Sequence, residues 1–445
     1  MRALSGQPMN IVGAGLAGSL LALLLARRGF AVALYERGAD PRTAVAAAGR
    51  SINLALAARG IRTLERAGVM QDVKPLLIAM RGRMLHDRSG QCALQPYGQK
   101  DEEVIYSVGR SALNVVLLES AARYHEVSIK FGHTCLGASA DANVLKFRDL
   151  ASGLTYETRL TPTIATDGAG SAVRASLAAA HAISAREELL EHDYKELTLP
   201  ARHKRHALEP HALHIWPRGD FMLIALPNTD GSFTATLFLP RAGPASFAGL
   251  TTPTRIEEFF AREFADAAPL MPDLVEEFTR HPRGLLGTVH SAPWHVAGRV
   301  LLLGDAAHAI VPFHGQGMNA AFEDCLVLDE LMDEHDDWRS LFDDFERRRR
   351  PNAEAIAQMS LENYVEMRNT VLDPLFKRHQ ELALELERRF PDRFIRRYSM
   401  VMFHPEISYA EALRRGGVQA EIIAEIDRDP RRAATLIHER LPPLT

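Results

Sequence analysis

Met9-Asn10-Ile11-Val12-Gly13-Ala14-Gly15-Leu16-Ala17-Gly18, close to the amino end, reads as a strand that runs through a glycine turn into a helix. Residues 9–13 are the strand and Leu16 to Arg28 the helix. In Gly13-x-Gly15-x-x-Gly18 the first glycine permits a tight turn. The second lets backbone approach a pyrophosphate, and the third lets helix pack on strand. A phosphate then meets free N–H groups and the positive end of the helix at Leu16, Ala17 and Gly18. Ala31 to Tyr35 reads as the next strand and ends at Glu36, a carboxylate placed to accept from ribose hydroxyls. The unit is βαβ, and the fold class it predicts is α/β of the Rossmann type.

Far along the chain a second glycine-rich segment follows a second apolar strand. Arg299–Leu303 leads into Gly304-Asp305-Ala306-Ala307-His308, then Gly315-Gln316-Gly317-Met318-Asn319 and a helix over Met318–Met332. A carboxylate at the end of a buried strand is costly without a partner, and a ribityl hydroxyl would supply one to Asp305. Gly315 and Gly317 leave backbone bare beside a flavin ring. The helix behind them turns its N-terminus toward the pyrimidine end, where it favours the negative charge of reduced flavin. The two segments together point to FAD held by one chain.

The remaining composition bounds the problem. The 445 residues allow two or three domains with sizeable cores. At a net charge of −4 there is no basic excess to attract nucleic acid or an anionic membrane. Cys92, Cys135 and Cys325 form no CxxC pair, which argues against a zinc site or a disulfide framework and fits a reducing cytosol. No apolar run approaches the roughly 18–20 residues that span a bilayer, and no signal peptide precedes the first strand.

Along the chain, residues 54–79 read as helical with a break near Gly68, Met84–Asp87 and Ile105–Val108 as short strands, and Ser111–Tyr124 as an amphipathic helix. Ser128–Phe131, Val144–Arg148, Thr155–Leu160 and Pro162–Ala165 read as strands returning to the nucleotide fold. Leu213–Trp216, Phe221–Pro227 and Ser232–Leu239 alternate apolar and small polar residues around the turn Asn228-Thr229-Asp230-Gly231, which predicts an inserted mixed or antiparallel sheet. From Trp338 onward the pattern is helical. Arg347 to Arg350, preceded by Asp343, Asp344 and Glu346 and followed by Pro351, reads as a helix C-terminus rather than a basic patch. The expected domains are a discontinuous FAD-binding domain (1–180 and 290–335), a substrate-binding sheet domain (181–289, with 80–110 contributing to the pocket) and a helical C-terminal region (336–445).

A third segment, Asp167-Gly168-Ala169-Gly170-Ser171-Ala172-Val173-Arg174, resembles the Asp-Gly motif of the single-component aromatic hydroxylases, the p-hydroxybenzoate hydroxylase group of FAD monooxygenases. Arg110, in Ser107-Val108-Gly109-Arg110-Ser111-Ala112-Leu113, matches the arginine that group places by the flavin. Further stretches resemble its kynurenine-hydroxylating branch: Gly49-Arg50-Ser51-Ile52-Asn53-Leu54-Ala55-Leu56, Gly82-Arg83-Met84, Gln95-Pro96-Tyr97-Gly98, His192-Asp193-Tyr194-Lys195-Glu196-Leu197, Leu213-His214-Ile215-Trp216-Pro217-Arg218 and Asn363-Tyr364-Val365-Glu366-Met367-Arg368. The likeness covers most of residues 9–405.

The resemblance implies conversion of L-kynurenine to 3-hydroxy-L-kynurenine through a flavin C4a-hydroperoxide, with FAD as cofactor, NADPH as reductant and O2 as co-substrate. The organic partner is a small aromatic amino acid. It places Arg83, Tyr97, Asn363 and Tyr398 on the amino-acid head, where a guanidinium grips a carboxylate bidentately and phenols add donors. It adds Arg37, Leu56, Leu136 and Asp167 to the cofactor residues already named. No triad is expected, since the cofactor performs the difficult step, and no second GxGxxG marks an NADPH domain.

His308 reads as structural. His314 departs from the eukaryotic members, which carry phenylalanine there, and is a candidate for tuning oxygen chemistry or substrate fit. Those members also end in a hydrophobic anchor. This chain ends in Arg431, Arg432, Glu439 and Arg440, so a soluble, cytoplasmic, bacterial-type enzyme is expected, with a homodimer among the open oligomeric states. Two other readings stay open: a hydroxylase of another anionic aromatic, such as an anthranilate or hydroxybenzoate, and a non-hydroxylating FAD reductase or redox-sensing module. A flavin-dependent halogenase lacks its Trp-x-Trp-x-Ile-Pro segment here.

Overall fold

The computed structural model describes residue 4 and residues 6–43, 53–368 and 373–444. The Gly49–Ile52 part of the first kynurenine-type stretch lies outside them. The chain forms two compact units, one from Met1–Leu77, Val108–Leu189 and Gly287–Glu354, the other from Ile78–Ser107, Leu190–Leu286 and Ala355–Thr445. The C-terminal helices, expected as a region of their own, group with the sheet of the second unit from Ala355 onward.

The first unit is built on a six-stranded sheet in the order His295–Val296, Val300–Leu302, Thr163–Ala165, Pro8–Val12, Ala31–Glu36, Val127–Phe131. Five of these strands run parallel and only the 295–296 edge is antiparallel. In such sheets ligands bind outside the carboxyl ends of the strands. Gly13, Glu36, Asp167 and Asp305 each follow, or end, one of four parallel strands, so all four segments leave the sheet at the same edge. The helix Leu16–Arg27 is buried from Leu20 to Ala26, and it packs against Arg110–Ala122 and Gly317–Leu331.

Three expectations fail here, each for a local reason. Residues 54–79 are not one broken helix. Asn53–Leu56 is a strand, Ala58–Ala67 a helix closed by Gly68 at φ 77°, and Ile78–Met80 a strand again. Val144–Asp149 and Thr155–Arg159 do not join the nucleotide sheet. They pair antiparallel with each other, and His133–Ser139 completes a separate three-stranded sheet; a tight hairpin cannot supply two parallel strands. The helix carrying Arg347–Arg350 also does not stop at Pro351 but runs from Trp338 to Arg368. Asn352 Nδ2, just after the proline, donates to the Arg348 carbonyl (2.8 Å).

The second unit holds the mixed sheet. Residues 192–199, Phe233–Pro240, Met222–Pro227 and Ala212–Pro217 pair antiparallel in that order. Gly82–His86 then adds parallel to Ala212–Pro217, and Cys92–Pro96 antiparallel beyond it. One sheet face is sealed by Phe259, Phe260, Phe264 and Phe278 from the helices packed on it. A smaller core around Leu386, Phe394, Ile422 and Ile437 joins the C-terminal helices.

The strand that carries Arg83 ends at His86, the start of a largely buried polar row. His86 Nδ1 is 2.7 Å from Asp266, its Nε2 is 2.8 Å from His214 Nδ1, and Trp216 Nε1 donates to Asp266 at 2.9 Å. Burial pushes the His214 imidazole down to about 4. An unfolded histidine titrates at about 6.5, so between the two values the unfolded chain holds a proton that the folded chain refuses. The stability from neutral His214 is therefore complete above the upper value and lost as pH falls toward the lower one, by up to about 3 kcal/mol. His214→Gln should flatten the fall of Tm with pH across that window. Parallel profiles for variant and parent would contradict the assignment.

Candidate cofactor and substrate sites

The glycine turn of the first unit separates packing needs from ligand needs. Gly13 sits at φ 101°, and a β-carbon there would stand 2.5 Å from the Thr166 carbonyl oxygen. A β-carbon on Gly18 would collide with the Gly13 carbonyl oxygen. At Gly15 a β-carbon would meet no protein atom within 4 Å, and its φ of −72° suits any residue. Gly13 and Gly18 are thus required by the fold itself, whereas Gly15 keeps a space clear of protein. The helix behind it has no side-chain cap and no acid in its first turn. Uncapped N–H groups beside a cleared space fit a phosphate. Glu36 braces the turn by accepting from Ala14 N (2.9 Å) and Gly38 N (2.8 Å), and a carboxylate has further lone pairs to offer a ribose.

The second glycine segment is held by a residue the sequence did not single out. Asp324, fully buried, accepts from Gly304 N (3.1 Å), His308 Nε2 (2.6 Å) and Arg349 Nε (2.7 Å). Burial works against its charge, but His308 and Arg349 outweigh it and hold the carboxyl below its ordinary range. Arg349 also grips Glu323, which pairs with the buried Arg59. The basic run at 347–350 is therefore not uniformly solvated. His308 is spent on Asp324 and stacks on Trp294, a packing role. Asp305 is exposed, so the burial cost argued for it does not arise, and its case rests on position alone.

Asn319 is fully buried and ties the loop together. It donates to the Ala55 and Gly315 carbonyls (2.8 and 2.9 Å) and accepts from Ala57 N (2.9 Å). The helix Gly317–Leu331 starts without a side-chain cap or an early acid. Leu56 and His314 are buried, while Arg37, Arg110 and Leu136 are exposed. Asp167 turns inward, accepting from Ser171 Oγ (2.6 Å) and Val173 N (3.2 Å) at the start of the helix Ala172–Ala179. Burial raises its carboxyl above the usual value. Arg174, in the same segment, donates to the Ala306 carbonyl at 2.9 Å and so links the Asp-Gly segment to the Gly-Asp segment.

The second unit brings Arg83, Tyr97, Asn363 and Tyr398 into one cluster. Arg83, 7% exposed, donates to Asn363 Oδ1 (3.4 Å) and to Glu366 Oε1 (3.1 Å). Its guanidinium carbon lies 5.0 Å from the centre of the Tyr398 ring, and that ring stacks on Tyr97 at 5.4 Å. Burial opposes the arginine's charge, but Tyr398, Glu366 and Tyr97 outweigh it and hold Arg83 protonated more firmly than a free arginine. Burial pushes the Tyr97 phenol up to about 12 and raises the Tyr398 phenol well above its ordinary value, so both remain neutral donors. The Tyr97 hydroxyl is buried with no well-formed hydrogen bond among the described residues, though Tyr398 and Arg83 are its neighbours. A cation, two neutral donors and an amide with an adjacent carboxylate can grip a zwitterion.

Glu366 was missed because a glutamate on a long charged helix carries no signal until its neighbour is known. Elsewhere, Glu334, His335 and Asp344 stand close enough to share a metal ion, but Arg348 pairs with both acids.

A parallel sheet with a cleared glycine turn, and a second glycine loop at the same edge, are the marks of an FAD-binding protein. The FAD binding domain family matches residues 7–360. Kynurenine 3-monooxygenase of Stenotrophomonas maltophilia (strain K279a) is 49% identical, over 99% of this chain and 95% of that protein. Its namesake in Xanthomonas axonopodis pv. citri (strain 306) is 47% identical, over 100% and 99%. The tetrameric form of 2-methyl-3-hydroxypyridine-5-carboxylic acid oxygenase superposes with a TM-score of 0.65 at 20% identity, over 83% of this chain and 94% of that one, which shows the fold alone. The chain belongs to the kynurenine 3-monooxygenase family of FAD-binding monooxygenases.

Proposed function

We propose that this enzyme hydroxylates L-kynurenine ortho to its ring amino group, giving 3-hydroxy-L-kynurenine, with NADPH as reductant and O2 as co-substrate. The carrying observation is the adjacent pair Arg83 and Glu366, a buried cation beside a carboxylate at 3.1 Å. An amino-acid head brings one charge for each. A simple aromatic acid, such as an anthranilate or hydroxybenzoate, brings one negative charge and no ammonium to set against Glu366. Arg83 forks the carboxylate, Tyr97 and Tyr398 donate to it, and Asn363 and Glu366 accept from the ammonium.

FAD is held by the turn Gly13, Gly15, Leu16, Ala17 and Gly18, by Glu36, Arg37, Leu56, Arg110, Leu136, Asp167 and Asp305, and by Gly317, Met318 and Asn319. When bound and reduced, it supplies the activated oxygen that the ring receives. The ring is already electron-rich, so this chain's residues orient and desolvate rather than act as acid or base. His314, buried in the turn Pro312–His314, is the candidate for tuning fit at this loop. NADPH docks without a dinucleotide domain of its own.

Free Cys92, Cys135 and Cys325 support a reducing, cytoplasmic setting. Among the described residues no helix is long and apolar enough to cross a membrane. A homodimer is the assembly to test by sedimentation.

Flavin absorbance reports head-group recognition directly. L-Kynurenine should bind the holoenzyme at least about 30-fold more tightly than its decarboxylated or its deaminated analogue, as loss of a charged hydrogen-bond partner dictates. Anthranilate binding as well as L-kynurenine would move the assignment to another aromatic acid.

A further inference from the structure

We propose that Arg396, braced by Glu387, is a positioning residue that sets Tyr97 and Tyr398 for the substrate's amino-acid head. The inference rests on the head-group reading above and adds a device to it.

The two tyrosines come from distant elements. Tyr97 follows the strand Cys92–Pro96, and Tyr398 lies in the first turn of the helix Arg397–Phe403. Stacked rings fix an interplanar angle but not a register, since they slide at small cost. The backbone must therefore hold them. Tyr97 N donates to the Arg81 carbonyl at 3.0 Å, and the Tyr97 carbonyl accepts from Arg396 Nη2 at 3.0 Å. Arg396 is also the residue that begins the Tyr398 helix, and its Nη2 donates to Ser399 Oγ (3.2 Å) one turn in. One guanidinium thus touches the backbone of one tyrosine and the helix of the other.

Glu387 gives that guanidinium a single orientation. Its Oε2 accepts from Arg396 Nε (2.8 Å) and its Oε1 from Arg396 N (2.9 Å). Oε2 also accepts from Gln99 Nε2 at 2.8 Å, and Gln99 donates to the Leu384 carbonyl at 3.2 Å. The segment after Tyr97 is therefore tied to the helix Pro374–Arg389 that carries Glu387. The Arg396 and Glu387 side chains are 10% and 14% exposed, so solvent competes weakly for these bonds. Neither side chain bonds Arg83, Asn363 or Glu366, which leaves the charge pair that reads the zwitterion to act independently.

A double-mutant cycle in the holoenzyme separates positioning from general support. Arg396→Met should weaken L-kynurenine binding about tenfold, but less than about threefold in a Tyr97→Phe/Tyr398→Phe background, because contacts already lost cannot be misplaced. Arg396→Lys and Glu387→Gln, which keep size, should fall between parent and Arg396→Met. FAD affinity should not change in any of them. Equal losses in both backgrounds, or no loss in either, would overturn the proposal.

Hydrogen exchange in the same holoenzymes decides the bracket without substrate. Residues 97–103 and 397–403 should exchange faster in Arg396→Met while the remaining sheet stays protected. Unchanged exchange there would overturn the proposal even if L-kynurenine binds. Failure of the parent enzyme to bind L-kynurenine would sink the substrate reading and leave the exchange result to stand or fall by itself.

Discussion

Arg83→Ala should weaken L-kynurenine binding by roughly 2–4 kcal/mol, about 30- to 1,000-fold in Kd, with FAD content unchanged. The size follows from two losses. The substrate carboxylate would lose a bidentate partner in a site where Arg83 is 7% exposed, and Glu366, now bonded to Arg83 at 3.1 Å, would face the pocket with no cation. The selectivity of the effect follows from placement, since Glu366, Asn363 and Tyr398, which Arg83 touches, all lie within the second unit. Tyr398→Phe removes one neutral donor and should cost less. Loss of FAD on Arg83→Ala, or unaltered affinity, would contradict the carboxylate role; equal effects of the two substitutions would shift recognition to the tyrosine hydroxyl.

The glycine turn yields a contrast as large. Gly15→Ala should leave the apoprotein's unfolding free energy within about 1 kcal/mol of the parent, because the added methyl meets no protein atom. It should nevertheless weaken FAD binding by at least about tenfold, because the space that methyl enters is the one a phosphate needs. Gly18→Ala should do both kinds of damage, since its β-carbon collides with the Gly13 carbonyl and crowds Thr166. Backbone cannot yield there without shifting the central strand. Apoprotein melting and FAD titration of the two variants distinguish these roles. A Gly15→Ala enzyme that keeps full FAD affinity would remove the phosphate from the turn.

Much of the first unit was legible because its determinants are local. Gly13, Gly18 and the apolar runs beside them answer to steric rules acting within a few residues. The Gly68 break showed for the same reason. What the sequence hid depends on partners far along the chain. Asp324 reads as one more acid on a helix until Gly304, His308 and Arg349 converge on it. Glu366, Glu387 and Arg396 are ordinary charges on charged helices until Arg83, Gln99 and Tyr97 reach them. Local rules also misled where they were applied too literally. Pro351 lies inside its helix rather than after it, and Asp305, reasoned to need a partner because its strand is buried, is exposed. Arg83, Tyr97, Asn363 and Tyr398 came only from family resemblance, since nothing in their own neighbourhoods marks them, and the fold gathers them into one cluster.

The purified FAD-loaded enzyme should turn L-kynurenine over by adding one oxygen to its ring. NADPH oxidation measured with and without L-kynurenine, with the product weighed by mass spectrometry, tests it most directly. L-Kynurenine should markedly accelerate the oxidation and give a product heavier by one oxygen atom. No acceleration, or acceleration that yields only hydrogen peroxide with L-kynurenine recovered intact, would contradict it.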